Sequence, residues 1–123
     1  MPAALIKRYN NSVTIPGGGK ILVTFKDADG KKTEAKAMDF RLKAAPAAGH
    51  SGEVHYDYIS SHDDTFTKAS AVNTQFFLYN GSSFRTESGE VIAKMAFYNT
   101  DGADIDLFMF ARSDVDISGS TMA

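Results

Sequence analysis

The chain has 123 residues, of which 43% are apolar and 23% are charged, and it carries a formal net charge of −2. This length suits a single domain, 1–123, that can bury a core without the help of a metal or a disulfide. The absence of cysteine excludes a disulfide scaffold, a zinc–thiolate site and cysteine catalysis.

Alternation of apolar and polar residues, broken by turn residues at short intervals, runs along most of the chain. Ile21, Val23 and Phe25, for example, share one face of their segment. The predicted strand segments are, in chain order, 5–9, 12–16, 20–27, 33–44, 53–60, a hairpin about Asn80-Gly81 within 75–87, 91–99 and 104–112. The pattern predicts an all-β fold, an antiparallel two-sheet β-sandwich of about eight short strands, and leaves jelly-roll and immunoglobulin-like Greek-key topologies open.

Segments without alternation are predicted to be loops or arms. Residues 61–74 form the longest of them, and we expect one helical turn there, capped by Asp63 or Asp64. The ends, 1–11 and 113–123, are expected to be extended arms that lie on a neighbour or pair with an exposed strand edge. The apolar run at the start is too short for a signal peptide, so synthesis in the cytoplasm is expected. No apolar run is long enough to span a bilayer, and we expect no membrane partner.

The stretch PGGGK (16–20) contains the glycines and the lysine of a phosphate-binding loop. Such a loop needs backbone N–H groups at a helix N-terminus, with Lys and then Ser or Thr opening that helix. Here Lys20 is followed by ILVTF, whose β-branched and aromatic residues favour a strand. The sequence therefore predicts a turn, in which glycine supplies a positive φ or lets a neighbouring segment approach closely.

Two histidines stand close to carboxylates. Glu53, His55 and Asp57 project from one face of a predicted strand, and His62 opens the HDD motif (62–64) in the loop that follows. Histidine and carboxylate groups are ligands for Zn²⁺ and other divalent ions, so His55 and His62 are candidate metal ligands. The alternative is a solvated polar strand face followed by a polar loop.

A second metal hypothesis concerns the stretch NTDGADID (99–106). Asp101, Asp104 and Asp106 lie close together with no basic residue between them, as calcium-binding loops require. No other cofactor is expected. The same residue types are also standard turn formers, which is the competing interpretation.

Catalysis and nucleic-acid binding find little support in the sequence. No nucleophile elbow or other motif of a catalytic triad is present, and we expect the protein not to be an enzyme. The net charge is negative and no basic stripe neutralises phosphates, so no nucleic-acid partner is expected.

Carbohydrate binding is a possible alternative function. Tyr79 with Asn80, and Tyr98 with Asn99, stand at predicted strand-to-turn junctions where a sugar could stack on the ring and bond to the amide. A lectin-like module would use these loop aromatics to bind a glycan. The competing interpretation is that the rings cap the core of the sandwich.

The function that the sequence favours is a non-enzymatic structural or assembly module. Residues 1–50 carry a net charge of +5 and residues 51–123 a net charge of −7, which favours head-to-tail packing of identical copies if the charges separate in space. Jelly-roll domains build virus particles and lectins. We therefore expect a phage or viral particle subunit, such as a capsid-decorating protein, that forms a homo-oligomer or binds a capsid lattice and resides in the virion.

Overall fold

A computed structural model describes residues 7–43, 46, 48–72, 74–77, 84–85 and 90–123. Strands account for most of the regular structure in this part of the chain, with one short 3₁₀ helix (Lys68–Ala71). The strands are β1 (Lys7–Ile15), β2 (Lys20–Thr24), β3 (Ala37–Leu42), β4 (Val54–Ile59), β5 (Gln75–Phe77), β6 (Phe84–Arg85), β7 (Lys94–Asn99), β8 (Ile105–Ser113) and β9 (Thr121–Met122). The fold is all-β, as predicted.

The strands form two antiparallel sheets. One has the order β1-β8-β3-β6 and the other the order β5-β4-β7-β2-β9. Four nested antiparallel pairs generate this arrangement, since β1 pairs with β8, β2 with β7, β3 with β6 and β4 with β5. Such nesting of eight strands, shared alternately between two sheets, is the jelly-roll topology. The structure thus selects the jelly roll over the immunoglobulin-like alternative.

The core lies between the two sheets and consists of the alternate residues that the sequence pattern assigns to the inside. Phe40 of one sheet meets Phe97 of the other edge-to-face, with ring centroids 4.6 Å apart. Leu42, Tyr56 and Tyr58 are partly buried and pack against this core. The buried residues of the cluster are Val13, Ile15, Ile21, Val23, Phe25, Ala35, Met38, Phe40, Val54, Ile92, Met95, Phe97, Ile105, Leu107, Met109, Ala111 and Ile117.

The turn between β1 and β2 is formed by the glycine stretch, as predicted. Gly19 donates its N–H to the carbonyl of Pro16 (2.8 Å), and Gly18 has a φ of 66°, which glycine adopts without strain. A Cβ on Gly17 would come within 2.4 Å of the Gly102 carbonyl oxygen. The glycines therefore serve the turn and a close contact with another loop.

Two local predictions need correction. The segments 5–9 and 12–16 were expected to be separate strands, but residues 7–15 form the single strand β1, because Asn10 and Asn11 stay in register with Phe110 and Met109 of β8. The expected helical turn is present at Lys68–Ala71, but Thr67 caps it, not Asp63 or Asp64. The oxygen of the Thr67 hydroxyl accepts from the Ala69 N–H, a contact that only the residue directly before the turn can make.

The described parts of the two expected arms lie on the chain's own sheets. Residues 7–11 belong to β1, and β9 pairs with β2 at the opposite end of the sequence. Ile117 is buried in the core, and Leu22 and Ala123 exchange two backbone hydrogen bonds of 2.9 and 3.0 Å. The hairpin tip about Asn80-Gly81 lies outside the described residues. None of the helical residues described forms a segment with the length and apolarity that crossing a membrane requires.

Candidate interaction surfaces

The outward surface of the sheet β1-β8-β3-β6, called here the four-stranded face, carries two adjacent phenylalanines. The odd-numbered residues of β8 from 105 to 113 point into the core, so Phe108 and Phe110 point outward. Their ring centroids lie 6.0 Å apart, and Phe110 is 37% exposed. The solvent face of an antiparallel sheet normally carries polar residues. This phenylalanine pair is therefore an exception to the alternation.

Cations flank the phenylalanine pair. The Arg41 guanidinium lies 5.4 Å from the Phe110 ring centroid, and the Lys43 ammonium lies 5.7 Å from that of Phe108. Both distances are within the range of cation–π attraction. Asp39 forms ion pairs with Arg41 (3.0 Å) and with Arg85 of β6 (3.5 Å). The four-stranded face thus combines aromatic rings with an excess of positive charge.

The outward surface of the other sheet, the five-stranded face, carries a row of side chains that crosses four strands. His55 of β4 is in register with Phe76 of β5 and Tyr98 of β7, and Tyr98 is in register with Lys20 of β2. The His55 ring lies 5.4 Å from that of Phe76 and 6.1 Å from that of Tyr98. The Lys20 ammonium lies 5.0 Å from the Tyr98 ring centroid. These four side chains are called the aromatic row.

Hydrogen-bonding groups border the aromatic row on one side. Glu53 Oε2 lies 2.8 Å from His55 Nε2 and accepts a hydrogen bond from the Thr100 hydroxyl at 3.3 Å. The other ring nitrogen of His55, Nδ1, is buried and has no hydrogen-bond partner among the described residues. The histidine ring is therefore held in the row by a carboxylate, and it is tilted by 35° and 42° from the rings of Phe76 and Tyr98.

Residues 61–72, called the covering segment, border the aromatic row on the other side. Phe66 and Ala71 are buried there against Ala96 of β7, and Leu22 and Ile59 pack around them. The buried Lys94 ammonium donates to the Asp63 carbonyl (2.9 Å) and fixes the segment to the sheet. Part of the five-stranded face is thus covered by the chain itself.

The three aspartates proposed as calcium ligands each bond to a different part of the protein, Asp106 across the β1–β8 pair and the other two to loops. Asp106 Oδ1 accepts from the Thr14 hydroxyl (2.6 Å), and Asp104 Oδ1 accepts from the Gly17 N–H (3.0 Å). Asp101 Oδ2 accepts from the Gly52 N–H (2.8 Å). Among the residues that the structure describes, no group of three His, Asp or Glu side chains is placed to hold a metal ion. The aspartates therefore act as separate hydrogen-bond acceptors.

The two histidines proposed as metal ligands are also separate in the structure. His55 lies near the start of β4 in the aromatic row, whereas His62 follows the end of that strand. His62 Nε2 donates to the Thr33 carbonyl at 2.7 Å, which ties the start of the covering segment to the loop before β3. The structure does not bring these histidines together.

The four residues proposed for sugar binding have different environments. Tyr79 and Asn80 lie outside the described residues. Asn99 is fully buried, and its side-chain N–H₂ donates to the carbonyls of Ile15 (3.0 Å) and Ala103 (2.8 Å). A buried amide with these bonds is not available to a ligand, so the proposal for Asn99 is wrong. Tyr98 is half-buried within the aromatic row.

Comparison with known proteins does not assign this chain to a family. No protein-family model matches it, and no curated protein matches it. Among solved structures, it is similar to the Yersinia pseudotuberculosis-derived mitogen (YPM), with a TM-score of 0.45 and 9% sequence identity over 95% of this chain and 96% of that chain. The function therefore has to be inferred from the surfaces of the protein itself.

Proposed function

We propose that the protein is a non-enzymatic assembly subunit that works by self-association through its four-stranded face. The observation that carries this proposal is the phenylalanine pair, Phe108 and Phe110, on a sheet surface where solvent-facing polar residues are expected. Exposed apolar groups that adjoin one another are typical of interaction sites, and burying them in a contact is favourable.

A comparison of the two sheets supports the need for a partner. On the five-stranded face, the outward apolar residues Leu22 and Ala96 are covered by Phe66 and its neighbours from the same chain. On the four-stranded face, within the part of the chain that the structure describes, the cations Arg41 and Lys43 lie over the rings of Phe110 and Phe108. A second protein surface would supply the missing apolar cover.

Charge complementarity favours a second copy of the chain as that partner. The described outward residues of β3, β6 and β8, together with Lys43 directly after β3, include four cations and two anions, a local charge of +2. The charged residues of this face are Arg41, Lys43, Arg85, Arg112, Asp39 and Asp106. Since the whole chain carries −2, the rest of it carries −4. Contact between the basic face of one copy and an acidic surface of the next is therefore attractive.

A contact between two different surfaces is heterologous, so it produces rings or extended arrays of subunits. Virus particles are built from such repeated contacts, and the jelly roll is an architecture that capsid proteins use. We therefore propose a role as a phage or viral particle subunit, such as a capsid-decorating protein. The phenylalanine pair supports the self-association directly, whereas the role in a virus particle rests on the analogy of fold.

Sedimentation equilibrium over a range of protein concentrations tests the proposal. The unmodified protein is expected to form oligomers that weaken as salt is raised, because screening reduces the attraction between the basic and acidic surfaces. Phe110→Ser is expected to shift the protein to the monomer. Phe76→Ser is the matched control, since Phe76 is an exposed phenylalanine on the opposite face.

Two results would overturn the proposal. One is a monomeric unmodified protein at all concentrations. The other is equal loss of association in the Phe110→Ser and Phe76→Ser variants, which would show that the four-stranded face has no special part in it.

A further inference from the structure

We propose that the aromatic row on the five-stranded face binds a neutral oligosaccharide. Phe76, His55, Tyr98 and Lys20 lie side by side on four neighbouring strands, β5, β4, β7 and β2. Three spacings between adjacent strands give the row a length of about 14 Å. A row of this length suits an extended chain of sugar rings that crosses the strands, in preference to a single small molecule.

The rings provide the apolar contacts that a sugar requires. One face of a pyranose presents C–H groups of slight positive charge, and these pack favourably against the negative face of an aromatic ring. Phe76 is 54% exposed, and its ring centroid lies 5.4 Å from that of His55. The centroid of the His55 ring lies in turn 6.1 Å from that of the Tyr98 ring. The row thus offers Phe76 as an exposed stacking position, with the His55 and Tyr98 rings continuing the apolar surface on the neighbouring strands.

The polar groups at the border of the row provide the hydrogen bonds. Glu53 accepts from His55 and Thr100 through the same oxygen, Oε2, and a carboxylate has further acceptor positions on its two oxygens. The Lys20 ammonium has three donor hydrogens and lies over the Tyr98 ring. Sugar hydroxyls both donate and accept, so a polyol can bond to the carboxylate at one position and to the ammonium at another.

The charges near the row favour an uncharged ligand. Asp57 lies on the outward face of β4, Glu53 directly precedes that strand and contacts His55, and Lys20 is the cation in the row itself. Two carboxylates repel the phosphates of a nucleic acid and the carboxylates of an acidic polysaccharide. A neutral oligosaccharide avoids this repulsion and retains both the stacking and the hydrogen bonds.

The covering segment gives the row a wall. Phe66 and Ala71 are packed over Ala96, which is two residues before Tyr98 on β7 and on the same face. The surface therefore rises on one side of the rings, while Glu53 and Thr100 lie on the other side. A ligand that lies along the row would be confined between the two.

Isothermal titration calorimetry with defined oligosaccharides tests this inference. The probes are cellohexaose, maltohexaose, xylohexaose and N-acetylchitohexaose as neutral chains, with polygalacturonate and a single-stranded oligothymidylate as acidic polymers. Saturable binding of at least one neutral chain is expected. Phe76→Ala and Tyr98→Ala should each lower its affinity about tenfold or more, which corresponds to 1.4 kcal/mol.

Phe110→Ser is the matched control and should keep the full affinity, because its ring lies on the opposite face of the sandwich. Since Tyr98→Ala removes a half-buried ring, thermal unfolding of each variant must show a folded protein. Phe76→Ala removes a more exposed ring from the same row and is therefore expected to destabilise the fold less than Tyr98→Ala.

Several results would overturn the inference. They are no binding of any neutral chain, preferential binding of polygalacturonate or oligothymidylate, and binding that Phe76→Ala leaves unchanged in a folded variant. This test and the test of self-association have separate outcomes. A monomeric protein that binds an oligosaccharide refutes the assembly proposal alone. An oligomeric protein that binds no oligosaccharide refutes the sugar site alone.

Discussion

The outer faces of the two sheets differ in what covers their apolar residues. On the five-stranded face, Phe66 and Ala71 of the covering segment bury Ala96, and the aromatic row lies beside them. On the four-stranded face, Phe110 stays 37% exposed beside the Arg41 guanidinium. The chain itself thus covers part of the five-stranded face, next to the exposed Phe76 of the aromatic row, whereas the four-stranded face presents the phenylalanine pair outward. The difference indicates that a strand with apolar residues on both sides needs two partners. The chain itself supplies the second partner over Ala96, and we propose that a neighbouring copy supplies it over the phenylalanine pair.

The largest expected effect is a loss of folding stability when a buried phenylalanine is removed from the covering segment, compared with removal of an exposed one from the four-stranded face. Phe66→Ala removes an almost fully buried ring, 8% exposed, from the covering segment. We expect a loss of about 3 kcal/mol in the free energy of unfolding. Phe110→Ala removes the same side chain from an exposed position and should cost less than about 1 kcal/mol in the monomer. Urea unfolding at low protein concentration measures both, and equal losses would contradict the contrast between the faces.

A smaller effect is expected at the cap of the covering segment. Thr67 accepts from the Ala69 N–H (3.3 Å), and the Ser70 hydroxyl oxygen accepts from the Thr67 N–H (3.2 Å), which is a capping box. Thr67→Ala should lower the free energy of unfolding by about 1 kcal/mol, because one helical N–H loses its acceptor. Thr67→Ser retains the hydroxyl and serves as the control in the same unfolding experiment. A loss of equal size in both variants would assign the effect to the methyl group.

The smallest effect concerns the pH dependence of the covering segment. Hydrogen bonds from the Thr65 backbone N–H and hydroxyl hold the pKa of Asp63 below its usual value. A carboxyl whose pKa is lower in the folded state stabilises the protein above its unfolded pKa, and this contribution is lost as the pH falls through the folded pKa. Asp63→Asn should therefore be less stable than the unmodified protein at neutral pH, and the difference should shrink at about pH 2. A difference that is constant with pH would exclude the carboxylate as its cause.

The strands and their inward faces could be predicted from the sequence because they depend on local periodicity. Val23 and Phe25 are buried as their alternation indicates. The run LFMF in β8 is apolar at both odd and even positions, and this departure from alternation indicates the outward phenylalanine pair. An antiparallel strand of this kind has apolar residues on both faces of its sheet. Phe108 and Phe110 were therefore open to prediction as outward residues, although they were not among the proposed site residues.

The aromatic row was only partly open to prediction. Tyr98 was proposed for sugar binding and His55 for a metal, but nothing in the sequence links them to Phe76 or Lys20. Asn99 was proposed for sugar binding and is not available for it. A polar residue at the end of a strand has the sequence pattern of an exposed turn former, so its burial could not be read from the sequence. In the structure it is fully buried between backbone carbonyls. Burial of a polar residue depends on which distant backbone groups need a partner, and that information is not local.

The sequence by itself determined that this chain is an all-β sandwich of short antiparallel strands, because the period of two and the turn residues are properties of neighbouring positions. The tertiary structure alone decided that β1 pairs with β8 and β2 with β7, and hence that the topology is a jelly roll. These pairings join residues from opposite ends of the chain, so they depend on how whole sheets pack. The same long-range packing brought Lys20, His55, Phe76 and Tyr98 into one row and left the phenylalanine pair facing outward.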